Sequence, residues 1–155
     1  MAKILVCGVG NKLKQDDGLG PLVVDRLEKV KLPANVEVAD FGISGFKCAL
    51  FLEGYDKVVF VDAISLPGCE PGRLHRIKLD RQQVLASPNL SSFSVSLHET
   101  DLEKILATAA VLNIYPAEVV IIGCQPEKTS VAMGLTPAIE RAVPEVIKLV
   151  MAELH

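Results

Sequence analysis

Three places in the chain carry residue types that do chemistry: Asp16-Asp17, Asp62 and His98. Asp16-Asp17 lies between Gly8-Val9-Gly10-Asn11 and Gly18-Leu19-Gly20, Asp62 closes an uninterrupted apolar run, and His98 stands where a polar loop leads into a helix. Two carboxylates and one imidazole suit a borderline divalent metal such as Ni²⁺ or Zn²⁺. The same set can do general acid–base work with no metal. Each residue also has a plainer reading. Asp16 or Asp17 can complement a helix dipole, Asp62 can order the next turn, and a histidine near a helix start can be incidental. His75, placed among Arg73, Arg76 and Lys78, reads as a solvated side chain. Spacing alone does not choose among these readings.

Other chemistries fail on the residues present. A dinucleotide fingerprint requires G-x-G-x-x-G opening directly into a helix. Here the third glycine position holds Leu13, and a charged loop runs on through Asp17. Carboxylates there would repel a pyrophosphate. No G-x-x-x-x-G-K-[ST] loop and no G-x-S-x-G elbow occur. After His98-Glu99 the second histidine position of H-E-x-x-H is Leu102, which removes that zinc-protease motif.

The elements that would position these residues alternate. Ile4–Gly8 predicts a strand, and Leu19–Lys29 an amphipathic helix with Pro21 tolerated in its first turn. Residues 36–39 predict a second strand ending at Asp40. Ser44 is a candidate N-cap for a short helix over Phe46–Glu53. Residues 58–61 are continuously apolar, the pattern of a strand covered on both faces. Arg73–Leu79 mixes polar and apolar residues as an edge strand does, in antiparallel orientation. Asp80–Ala86 has room for one helical turn, Ser87–Ser96 is a polar loop, and a helix follows to about Leu112. Two capping boxes overlap at that helix start, Ser96 with Glu99 and Thr100 with Glu103. Residues 119–122 predict another buried strand. Thr136-Pro137 predicts an N-cap with proline at the first helical position, and Pro144 is expected to kink or split the helix that follows. The expected architecture is α/β: a single three-layer domain over residues 1–155, with a mostly parallel twisted sheet of about five strands, helices on both faces and one antiparallel edge strand.

At 155 residues, half of them hydrophobic, the chain is long enough for a core without staples. A net charge of −3 with no two Lys or Arg residues adjacent gives no reason to expect a nucleic-acid surface. No apolar run approaches the roughly 20 residues a membrane helix needs. The opening Met1-Ala2-Lys3 leads into a strand-length run with no small-residue cleavage site, so a cytoplasmic location is expected. The four cysteines, Cys7, Cys48, Cys69 and Cys124, form no C-x-x-C pair, and the structural role of a buried thiol is expected for them.

The opening Gly8-Val9-Gly10-Asn11…Asp16-Asp17-Gly18…Gly20-Pro21 resembles the N-terminal signature of the nickel–iron hydrogenase maturation endopeptidases. Val61-Asp62-Ala63 resembles that family's second acidic site, and Leu97-His98 its histidine site. Gly123…Gln125-Pro126-Glu127…Leu135-Thr136-Pro137 resembles a C-terminal segment usual in the family. The resemblance covers nearly the whole chain. It implies a cytoplasmic, aspartyl-type endopeptidase that removes the C-terminal extension of a hydrogenase large-subunit precursor after nickel insertion. It also implies that Asp17, Asp62 and His98 contact the nickel, with a catalytic share. Asp17 takes this role over Asp16 by its place directly before Gly18. Asp40 and the turn over Gly42–Gly45 resemble a family element near the cleft, with no defined role. Nickel is expected to arrive on the precursor and to bind the free enzyme weakly or not at all. The precursor is the expected partner, with no nucleic acid and no membrane. Two other classes stand beside this reading: a non-catalytic nickel-binding or chaperone module for hydrogenase assembly, and a nucleotide-binding domain.

Overall fold

The first strand, β1 (Ile4–Val9), is buried at every position. A strand with no polar face needs cover on both sides, as strands inside an α/β sheet have. The computed structural model describes residues 1–86, 96–97 and 101–155, with the backbone alone of residues 96, 97 and 101. After β1 come a 3₁₀ turn (Gln15–Gly18), α1 (Leu19–Leu27), β2 (Val36–Gly42), α2 (Gly45–Phe51) and β3 (Lys57–Ser65). These are followed by β4 (Leu74–Lys78), α3 (Arg81–Ala86), β5 (Ser96–Leu97), α4 (Asp101–Val111), β6 (Glu118–Cys124) and α5 (Pro137–Ala152).

The sheet order is β2-β1-β3-β6-β4. Its first four strands are mutually parallel, and β4 runs antiparallel at the edge. The two residues of β5 pair antiparallel with the end of β3. This is the α/β sheet expected from the alternating pattern, with its antiparallel edge strand.

Alternate residues of each strand feed two separate cores. Val58 and Phe60 of β3 pack with α2, α3 and α4 on one face. Val59 and Val61 pack with α1 and α5 on the other. By the same alternation Asp62 falls on the face of Phe60 and Ile64. The parallel strands therefore end together, and the loops after β1, β2, β3 and β6 collect at one edge of the sheet, where open α/β sheets build their sites.

Four expectations need correction. Pro144 does not split the last helix, since α5 runs unbroken from Pro137 to Ala152. Its buried stripe, Ile139, Val143, Val146 and Val150, holds the helix to the sheet on both sides of the proline. Ser44 occupies the N-cap of α2 but makes no side-chain cap; its carbonyl accepts the Cys48 N–H instead. β3 is longer than the apolar run and continues through Asp62 to Ser65. His75 is buried, 9% exposed, where a solvated side chain was expected. It stands opposite Gly123 in the β4–β6 register, where the Ile64 side chain fills the space a Cβ on that glycine would take. Each expected capping box has one partner, Glu99 or Thr100, outside the described residues.

Candidate active site

Gly10 is the pivot of the site. It has φ +130°, and a Cβ placed on it would lie 2.0 Å from the Asp17 carbonyl oxygen and 3.6 Å from Asp62 Oδ1. No other residue fits there. The backbone of the Asp17 turn and the side chain of Asp62 thus both come up to the same face of one glycine, although they lie 45 positions apart in the chain. The parallel register explains the meeting: β1 and β3 are neighbours, with Gly8 opposite Val61, so the residues just beyond them share the sheet edge. Gly20 allows the same closeness on the helix side, since its Cβ would fall 2.4 Å from both the Val61 and Val9 carbonyls.

Asp17 is 7% exposed, and its Oδ2 accepts the Asn11 N–H at 2.9 Å. Asn11 Oδ1 accepts the Leu13 N–H at 2.9 Å, which turns the loop back toward the 3₁₀ turn. Asp62 is 2% exposed, and its Oδ1 accepts the N–H of Ala63 at 2.8 Å. Asp40 Oδ1 accepts the Gly42 N–H at 2.8 Å, and the Gly42 carbonyl accepts the Gly10 N–H at 3.1 Å, so the β2 corner braces the same glycine. Two nearly buried carboxylates at a strand edge are a costly arrangement in low dielectric unless donors or cations meet them. Such a pair suits cation binding or proton transfer.

Asp16 has a different place. It is fully buried and accepts from the backbone N–H groups of Glu127 (2.8 Å), Lys128 (2.9 Å) and Thr136 (2.7 Å), and from Thr136 Oγ1. Its own N–H donates to the Lys128 carbonyl, and Gln15, at φ 47°, donates to the Ala132 carbonyl. Asp16 therefore pins the turn carrying Asp17 to the segment between β6 and α5. Thr136 is the N-cap residue of α5 as expected, but its hydroxyl goes to Asp16 and makes no cap bond to the helix. The adjacent acids differ in their partners: Asp16 anchors a distant segment, and Asp17 holds the loop that begins at Asn11. The Asp16–Thr136 bond spans 120 residues, and no local signal in the sequence marks it.

The third expected residue, His98, lies outside the described residues. Among the described residues no group of three or more His, Cys, Asp or Glu side chains is gathered to hold a metal ion. Gln125, from the C-terminal segment, takes the Leu66 N–H on Oε1 at 2.8 Å and ties the ends of β3 and β6 together behind the site. Buried beside it, His75 has no partner for Nε2. Burial holds this imidazole below its ordinary range, and contact with Gln125 opposes the shift.

A family model for hydrogenase maturation proteases matches residues 21–153, a span that includes Asp62 and begins beyond Asp17. The chain is 35% identical over 164 residues to the coenzyme F420 hydrogenase subunit delta of Methanothermobacter thermautotrophicus, covering 99% of this chain and 95% of that one. The hydrogenase 2 maturation peptidase structure from a Thaumarchaeota archaeon is 37% identical, with a TM-score of 0.76 over 98% of this chain and 97% of that chain. The hydrogenase maturating endopeptidase HybD of Escherichia coli is 26% identical, with a TM-score of 0.80 over 98% and 91%. The chain belongs to the hydrogenase maturation protease family.

Proposed function

We propose that this endopeptidase removes the C-terminal extension of a nickel–iron hydrogenase large-subunit precursor, and that it recognises the nickel already seated in that substrate through Asp17, Asp62 and His98. The meeting of Asp17 and Asp62 at Gly10 carries the reading. The Asp17 backbone and the Asp62 carboxylate both come up against Gly10, so two nearly buried carboxylates on separate elements share the carboxyl edge of β1 and β3, where a cation carried by a partner would be complemented. Carboxylate and imidazole donors match a borderline divalent ion, and three protein ligands leave positions for the substrate's own ligands.

The nickel is then part of the substrate and acts as a checkpoint. A precursor without it lacks the charge that this acidic edge complements, and binds too weakly to be cut. Once the precursor is seated, hydrolysis adds one water across the scissile peptide bond, and a carboxylate within hydrogen-bonding reach can take the water's proton. Asp16 takes no part in that chemistry. Its anchorage keeps the Asp17 turn from moving when the substrate pulls on it.

The test is processing of a candidate precursor by site variants. Asp17→Asn, Asp62→Asn and His98→Ala each remove a ligand, and each is expected to abolish shortening of the precursor while leaving the circular-dichroism spectrum unchanged. Wild-type processing by any one of them would remove that residue from the site.

A further inference from the structure

Two thiols that the proposed chemistry does not use lie in contact just below the acidic edge. Cys7 on β1 and Cys48 on α2 have their sulfur atoms 3.3 Å apart and are both buried. We propose that Cys7 and Cys48 form a redox pair, oxidised by a small-molecule disulfide to an intramolecular disulfide that joins β1 to α2 beside the acidic edge.

A disulfide bond is about 2.05 Å long, so the sulfurs must approach by a little over an ångström. The element free to supply that movement is α2. It has seven residues and no side-chain cap, and Phe46, Leu50 and Phe51 leave its outer face exposed. The pairing is specific. Cys7 and Cys48 share one core, Cys124 belongs to the core on the opposite face of the sheet, and Cys69 sits in the turn before β4.

The reaction is thiol–disulfide exchange. The Cys48 sulfur attacks one sulfur of the small disulfide and displaces the first thiol, leaving a mixed disulfide. The Cys7 sulfur then attacks Cys48 and displaces the second. The two protons and two electrons lost by the protein leave with those two thiols. Both sulfurs are buried, and burial above all, with the neighbouring Cys48 and the charges of Asp40 and Asp62, disfavours the Cys7 thiolate. Exchange therefore waits on opening of α2 and answers sustained oxidation, not a brief pulse. The closed loop contains the 3₁₀ turn, α1 and β2, so the cross-link restrains the segment that carries Asp16 and Asp17.

The experiment is overnight incubation of the native protein with oxidised glutathione, then alkylation of free thiols with N-ethylmaleimide under denaturing conditions and mass spectrometry. The expected result is alkylation of Cys69 and Cys124 only, with the Cys7 and Cys48 peptides linked and no glutathione retained. The oxidised form should also melt several degrees higher than the reduced form, reversibly with dithiothreitol, and Cys48→Ala should show neither effect. Alkylation of all four cysteines would overturn the proposal, and so would a link to Cys69, to a second copy or to glutathione alone.

Discussion

At the scale of single residues the adjacent acids Asp16 and Asp17 are not interchangeable. Asp16→Ala leaves three N–H groups and a hydroxyl without their acceptor; the two Thr136 groups are buried and cost about 1–3 kcal/mol each, and the part-buried N–H groups of Glu127 and Lys128 cost less, so this variant should be strongly destabilised. Chemical denaturation measures it. Thr136→Val removes only the hydroxyl contribution and should cost about 1 kcal/mol, while Thr136→Ser should retain nearly full stability. In contrast, Asp17→Asn should melt near the wild-type temperature yet lower precursor processing about 100-fold or more. The reverse pattern, an unstable Asp17→Asn and a stable Asp16→Ala, would mean that the two roles are exchanged. In the sequence the resemblance already set Asp17 apart from Asp16, but the anchoring role of Asp16 was not legible, because all of its side-chain partners lie more than 100 residues downstream.

At the scale of elements, continuous apolar runs identified β1, β3 and β6, since strands covered on both faces show no alternation. The edge strand was equally legible by its mixed polarity. What polarity could not show was which of its side chains face inward, and His75 is buried although it stands among Arg73, Arg76 and Lys78. Its pH dependence has a definite sign. The folded-state value is lowered below the ordinary 6.5, so its contribution to stability is complete above that pH and is lost as pH falls through the folded value. Urea titrations from pH 7 to 5 should show falling stability, and His75→Leu should flatten that slope. An unchanged slope in the variant would assign the effect to another group. Of the two outcomes expected at Pro144 the split is absent, because helix interruption is a local rule and the apolar stripe of α5 packs across it.

At the scale of the whole molecule, the two edges of the sheet do different work. The carboxyl edge gathers Asp17, Asp62, Asp40 and the Asp16 anchor. The opposite end of the strands holds an ionic cluster, in which Lys57 lies 3.1 Å from both Glu118 and Glu153, and Arg76 also binds Glu153. Glu153 closes the chain onto the first residue of β3, far from the cleft. Its two cationic partners hold its carboxyl below the usual 4.5, so its contribution is present above that pH and is lost as the medium acidifies through the lower folded value. Glu153→Gln should therefore lose on the order of 2 kcal/mol at neutral pH, with the difference from wild type closing in acid, and should leave processing unaffected. Family membership was legible in the sequence because its motifs sit at the strand ends that the fold brings together. The third expected ligand, His98, lies outside the described residues, so the solution assay has to supply it.

The most direct measurement is intact-mass spectrometry of a large-subunit precursor, nickel-loaded and nickel-free, after incubation with the wild-type protein. A C-terminal peptide should be lost from the loaded precursor alone, and not at all with Asp17→Asn. Equal shortening of the nickel-free precursor would contradict the checkpoint, and an intact loaded precursor would contradict the proposed cleavage.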